Sequence, residues 1–164
     1  MKDLLPDLFD HYSDDLSLLT SRYTHFGHRR IFWGEIVTVK CFEDNSKVKQ
    51  ILNTNGKGKV LVVDGAASME RALLGDMIAL CAVDNCWEGI VINGCVRDVG
   101  ALKEMEIGVL ALGTNPIKTV KKDVGEINVP LQLDNINVEP GMMIYCDENG
   151  IGLAKSALAL SCLL

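Results

Sequence analysis

The sequence predicts an α/β fold with a parallel βαβ core and added antiparallel strands, on three observations. Short runs of Val, Ile and Leu recur through the middle of the chain, at Val60-Leu61-Val62-Val63, Ile90-Val91-Ile92 and Val109-Leu110-Ala111-Leu112. Between them lie segments of helical period. In the last third, short apolar runs are split by Asp-Asn, Pro-Gly and Asn-Gly, which are turn signals. A chain of 164 residues fits a single domain, 1–164, with a full core of its own.

The elements follow in order. Leu4, Leu5, Leu8, Phe9 and Tyr12 recur at helical spacing, so the first thirty residues read as a helix or two, closed by Gly27. Val37, Val39 and Cys41 alternate with Thr38 and Lys40, the pattern of a half-buried strand. Asn45-Ser46 caps a short helix carrying Val48, Ile51 and Leu52, ended by Gly56. The run Val60–Val63 lies between Lys59 and Asp64-Gly65, as expected of a strand buried on both faces. Ser68 to about Leu74 reads as helix, interrupted by Gly75. The seven apolar residues Met77–Val83 predict a helix buried all round. Strand Ile90–Ile92, an amphipathic helix on Val99, Leu102 and Met105, and strand Val109–Leu112 come next. Strands at Ile127–Leu133, Met142–Cys146 and Ile151–Ala154 and a short apolar helix end the chain.

Composition narrows the function. Sixteen Lys+Arg against twenty-two Asp+Glu give a net charge of −6, without the electrostatic footprint of a protein that binds nucleic acid directly. The longest basic clusters are Arg29-Arg30 and Lys121-Lys122. No stretch approaches the ~20 apolar residues of a membrane span, and the N-terminus lacks an apolar signal core. A soluble, cytoplasmic protein is the expectation. The six cysteines, Cys41, Cys81, Cys86, Cys95, Cys146 and Cys162, form no Cys-x-x-Cys pair and sit away from His11, His25 and His28. They read as reduced, buried small hydrophobes rather than zinc ligands, and the histidines as structural or exposed.

In an open α/β sheet, ligands bind beyond the carboxyl ends of strands. Two such ends are polar here, Asp64-Gly65-Ala66-Ala67-Ser68 and Asn93-Gly94-Cys95-Val96-Arg97-Asp98. Leu74-Gly75-Asp76 breaks the apolar stretch between them. Asp76, Arg97 and Asp98 are thus charges set in the most apolar third of the chain, where they need partners, a metal or a substrate. Each has a structural reading too: both aspartates precede predicted helices and suit N-caps, and Arg97 can pair with either or face solvent. Asn93 is either a residue that supports the site from behind or an ordinary turn residue, and the turn is the favoured reading.

Longer segments carry a resemblance. Leu74-Gly75-Asp76-Met77-Ile78-Ala79 and Trp87-Glu88-Gly89-Ile90-Val91-Ile92-Asn93-Gly94-Cys95-Val96-Arg97-Asp98 resemble the RraA-like family, which contains 4-hydroxy-4-methyl-2-oxoglutarate aldolases and regulators of ribonuclease E activity. Its most specific element is Asp76, twenty intervening residues, then Arg97-Asp98. Supporting stretches are Trp33–Lys40, Asn55–Gly65 and Asp147–Ile151, and the resemblance covers about residues 3–157.

The resemblance implies a swivelling β/β/α sandwich like the phosphohistidine domains, although residues 31–164 hold no histidine for phosphocarrier chemistry. It implies a divalent metal, Mg²⁺ or Mn²⁺, acting as Lewis acid on a small 2-oxo acid, with oxaloacetate decarboxylation through a shared pyruvate enolate. Asp98 matches the metal position and Arg97 the substrate-carboxylate position. Gly75, Asp76, Met77 and Ile78 match the loop whose backbone N–H groups meet the substrate. Asp76 is also the candidate to orient a water that takes the C4 hydroxyl proton. Relatives assemble as trimers or hexamers, and Ala157–Leu160 with Leu163-Leu164 suit either such an interface or burial in the monomer. The alternative is a protein that docks on ribonuclease E; the retained Arg97-Asp98 favours the enzyme. Some relatives carry a methyltransferase label, but the chain shows no glycine-rich strand-to-helix fingerprint for an adenosyl cofactor.

Overall fold

The computed structural model describes residues 1–161 and 163; Cys162 and Leu164, named above, lie outside the described residues. The chain opens with α1 (Leu5–Tyr12), β1 (Leu16–Leu18), β2 (Thr24–His25), β3 (Phe32–Lys40) and α2 (Ser46–Leu52). The middle comprises β4 (Lys59–Asp64), β5 (Ala72–Leu74), α3 (Asp76–Asp84), β6 (Gly89–Val96), α4 (Val99–Leu102) and β7 (Gly108–Thr114). Then come β8 (Glu126–Ile127), β9 (Leu131–Leu133), β10 (Ile136–Val138), β11 (Met143–Asp147) and β12 (Gly150–Ala154). The main sheet runs β1-β12-β11-β3-β4-β6-β7-β2. Its centre, β3-β4-β6-β7, is parallel, and β11, β12, β1 and β2 add antiparallel edges. No helix is long and apolar enough to cross a membrane, among the described residues.

The unbroken apolar runs follow from two-sided cover. Leu61, Val63, Ile90 and Ile92 pack with Val48, Leu52, Ala79, Ala82 and Leu102 of the helices. Their neighbours Val60, Val62 and Val91 point to the other face, where Leu131, Leu133, Val138 and Ile144 cover them. The β9–β10 hairpin on that face turns at Asp134-Asn135, both with positive φ, the backbone that a two-residue type I′ turn requires. A third cluster packs α1 against Tyr145 and Ala154.

Several expectations are corrected. The second N-terminal helix is absent: Leu16–Leu18 pairs with Gly152–Ala154, and Thr24-His25 with Leu110-Ala111, as edge strands. The half-buried strand starts earlier, at Phe32, and buries Thr38 and Val39 together because both its faces are covered. The helix expected at Ser68–Leu74 is instead β5, since β6 outruns β4 beyond Asn93 and Ala72–Leu74 fills the edge left open. Asn93 and Gly94 therefore lie inside β6, not in a turn. Helix α3 exists but is not buried all round: it buries Ala79 and Ala82 and leaves Met77 81% and Leu80 51% exposed. Helix α4 is one turn and stops short of Met105. Ile127–Leu133 is broken into β8 and β9. No closing helix forms in the described residues after 154; Leu158, Leu160 and Leu163 pack partly onto the α1 cluster.

The starts of α1 and α2 are satisfied by side chains other than the N-cap's own. No described helix has a capping bond from its own N-cap side chain. Asp147, buried at the end of β11, instead accepts the N–H groups of Leu4 and Leu5 at 2.8 Å each. Asp44 does comparable work at α2. One of its oxygens accepts the Ser46 N–H (2.9 Å), and the other accepts the N–H groups of Lys122 (2.8 Å) and Val124 (3.2 Å). The expected cap Asn45 donates to the Leu73 carbonyl (3.2 Å) and accepts from the Thr119 hydroxyl (2.7 Å). Together these bonds pin segment 118–124 to the start of α2. Three of the five described cysteines are buried, and all five are free thiols.

The donors around Asp44 hold its carboxyl down from the ordinary 3.8 to about 2, against the opposing effect of burial. A depressed folded-state value means stability that is present above pH ~4 and lost as pH falls through ~2. Asp44→Asn sets an amide N–H against backbone donors and is expected to lose about 2 kcal/mol at pH 7, with the deficit vanishing towards pH 2. Chemical denaturation across that pH range checks it; a deficit independent of pH contradicts it.

Candidate active site

Strands β5 and β6 run side by side and end together, with Ala72 opposite Cys95 and Leu74 opposite Val96. The Arg97 N–H donates to the Leu74 carbonyl at 2.9 Å, so the two chains leave the sheet in register. One turns through Gly75 into α3 and the other through Arg97-Asp98 into α4.

Asp98 adopts the left-handed conformation, φ 56° and ψ 38°, which Asp tolerates better than most residues. Its carboxylate makes no bond to α4. Oδ2 instead accepts the Asp76 N–H at 3.1 Å, capping α3 across the cleft, and lies 3.7 Å from Arg97 Nε. No hydrogen bond to Oδ1 occurs among the described residues. Gly75 permits this approach: a Cβ there would stand 2.6 Å from Asp98 Oδ2 and 3.3 Å from Arg97 Nε. With Asp98 holding Asp76, the Met77 and Ile78 N–H groups are the remaining first-turn donors of α3. Arg97 and Asp98 are each 38% exposed at the side chain, accessible but partly shielded.

A cavity of about 260 Å³ opens on this junction. Gly75, Asp76, Met77, Ile78, Arg97 and Asp98 all line it, so the structure brings together the residues that the resemblance assigned to metal and substrate. The N-cap expectation changes: Gly75 occupies that position for α3 and Asp76 is the first helical residue, while Asp98 stands at the N-cap of α4 but caps α3. Asn93 lies elsewhere, donating to Asp64 Oδ1 at 3.1 Å.

Sequence reasoning missed Lys49, Lys118 and Lys121, which also line the cavity, with Asn45 and Asn53. The pair Lys121-Lys122 was visible as a basic cluster, but no spacing ties it to residues 76 or 97. No group of three or more His, Cys, Asp or Glu converges among the described residues. That donor set does not fit zinc, which takes three or four protein ligands. It fits a hard ion such as Mg²⁺, which keeps several waters and needs one or two carboxylates, here those of Asp98 and Asp76, which both line the cavity.

A protein of Shewanella oneidensis provisionally named a 4-hydroxy-4-methyl-2-oxoglutarate aldolase is 58% identical over 158 residues, 96% of each chain. A Vibrio cholerae protein with the same provisional name is 52% identical, covering 96% of this chain and 98% of its own. The crystal structure of a Geobacillus kaustophilus protein described as S-adenosylmethionine:2-dimethylmenaquinone methyltransferase superposes with a TM-score of 0.93 at 39% identity, over 95% of this chain and 97% of that one. The structure of the RNA-processing inhibitor RraA from Thermus thermophilus gives 0.92 at 38% identity, over 97% and 96%. The model of the RraA-like family, Aldolase/RraA, matches residues 4–152, and the chain belongs to that family.

Proposed function

We propose that this chain is a divalent-metal-dependent aldolase that cleaves 4-hydroxy-4-methyl-2-oxoglutarate into two pyruvates and secondarily decarboxylates oxaloacetate. The observation that carries this reading is the Arg97–Asp98 pair held against the start of α3 in the lining of the cavity, with no hydrogen bond to the second Asp98 oxygen among the described residues. The names of the Shewanella and Vibrio relatives support it. In this reading residues 1–164 form one RraA-like domain of the swivelling β/β/α type, working in the cytoplasm, where the free thiols stay reduced.

Asp98, with Asp76 beside it, would hold the Mg²⁺ or Mn²⁺, whose chemistry is Lewis acidity towards the C2 carbonyl. Arg97 grips the C1 carboxylate with its planar fork, and the Met77 and Ile78 N–H groups orient the anion at the positive end of α3. Asp76 draws the C4 hydroxyl proton away through a water. The C3–C4 bond breaks, C4 becomes the keto carbon of one pyruvate, and the electron pair passes into the C2 carbonyl as an enolate. Protonation at C3 releases the second pyruvate. Oxaloacetate reaches the same enolate by losing CO₂ from C4.

A pyruvate-release assay with Mg²⁺ tests this on both substrates. Arg97→Lys keeps the charge but loses the fork, so kcat/KM for both reactions is expected to fall about ten- to a hundredfold with Tm nearly unchanged. Early melting with normal activity in the folded fraction contradicts the assignment. Docking on ribonuclease E is the second reading, favoured by the likeness to the Thermus protein. A chain that releases no pyruvate yet slows ribonuclease E cleavage establishes it instead.

The exposed Met77 and Leu80 give α3 an apolar surface beside the cavity, and a second copy of the chain is its occupant in this reading. The assembly is a trimer or hexamer in which the neighbour borders the site. Sedimentation at micromolar concentration should show a multiple of three that reductant leaves unchanged; a fully active, stable monomer contradicts it.

A further inference from the structure

We propose that Lys118 and Lys121, with Lys49 beside them, form a subsite for a second carboxylate, so that the cavity selects dianionic over monoanionic 2-oxo acids. This rests on the aldolase reading for its reaction but not for its binding test.

The charge balance is the first support. The chain carries −6 overall, yet its cavity is lined by four cations, Lys49, Arg97, Lys118 and Lys121, against two carboxylates, Asp76 and Asp98. Arg97 and Asp98 already face each other. No ion pair to Lys49, Lys118 or Lys121 occurs among the described residues, as for most of the chain's cations; what sets these three apart is that they line one cavity together with Arg97. Three cations left unpaired beside a single arginine–aspartate pair make the cavity a sink for negative charge.

The second support is how firmly the lysines are mounted. Thr119, between them, is 3% exposed and hydrogen-bonded to Asn45. The Lys122 N–H beyond them is held by buried Asp44, and the Lys118 carbonyl accepts from Arg71 at 3.3 Å. Just upstream, the Ile117 carbonyl accepts the Ala72 N–H at 2.8 Å, tying the segment to β5. The backbone is anchored on buried groups while the lysine side chains stay exposed. A loop fixed in this way presents its charges without the ordering cost of a mobile one.

The chemistry then divides the substrate. One carboxylate lies on the Arg97 side, the reacting carbons near Asp76 and Asp98, and the second carboxylate on the lysines. In aldol cleavage, unlike oxaloacetate decarboxylation, that second carboxylate leaves on the first-formed pyruvate with its charge unchanged. Lysine contacts to it are therefore equally strong in ground and transition states, and their loss appears in KM rather than kcat.

Calorimetry at low salt with Mg²⁺ uses two probes the reaction does not consume, 2-oxoglutarate as dianion and 2-oxobutyrate as monoanion. The wild-type chain should bind the dianion about tenfold more tightly. Lys118→Gln/Lys121→Gln should lose that preference and leave the monoanion unchanged, and Lys118→Arg/Lys121→Arg should keep it. Equal affinities for the two probes in wild type, an unaltered preference in the Gln variant, or no binding of either probe overturns the proposal. Pyruvate release is measured alongside. A lysine-dependent dianion preference without cleavage supports the subsite and defeats the aldolase reading; cleavage without the preference does the reverse.

Discussion

One hydrogen bond organises the site: the Asp76 N–H donating to Asp98 Oδ2 at 3.1 Å across Gly75. It joins the starts of α3 and α4, which follow different strands, and it commits one oxygen of Asp98, Oδ2, to the helix. The carboxylate satisfies a helix donor that would otherwise stand open, and the negative charge suits the positive end of α3. The bond requires that residue 75 lack a side chain and that Asp98 accept a left-handed backbone. Such backbone costs about 1–3 kcal/mol and persists where the surroundings enforce it.

Those surroundings are the sheet. Because β6 outruns β4, β5 pairs with its last residues, and the two strands deliver Gly75 and Arg97 side by side. The buried Leu73, Leu74, Cys95 and Val96 make that end of the sheet rigid. A second scaffold meets it from the far side, where Asp44, Asn45 and Thr119 hold the lysine segment to α2 and to the Leu73 carbonyl. The cavity is the gap between two well-anchored walls, one built on β5 and β6 and the other on α2.

The parallel core was legible because strands covered on both faces leave unbroken apolar runs, and Val60–Val63 is such a run. The turn at Asp134-Asn135 was legible because it needs residues that tolerate positive φ, whereas its second strand, Ile136–Val138, was not read from the sequence. Ala72–Leu74 was misread because three residues carry no period; only the vacant edge beside β6 makes them a strand. Met77–Val83 was read as buried because its composition is apolar, whereas its outer face has no cover within one chain. Asp76, Arg97 and Asp98 stood out as charges in an apolar third. The lysines did not, since exposed lysines are ordinary and their approach to Arg97 depends on side-chain bonds from Asp44 and Asn45 that no local pattern encodes.

The central claim is the proposed division of Asp98 between two tasks, with Oδ2 on the helix and the second oxygen taking a divalent ion. Titration with Mn²⁺ followed by electron paramagnetic resonance tests it without reference to turnover. The account predicts a bound Mn²⁺ signal in the wild-type chain and at least about tenfold weaker binding in Asp98→Asn, whose carboxamide oxygen carries no full charge. The variant should stay folded, because an amide oxygen can still accept the Asp76 N–H. Equal Mn²⁺ affinity in both proteins would contradict it.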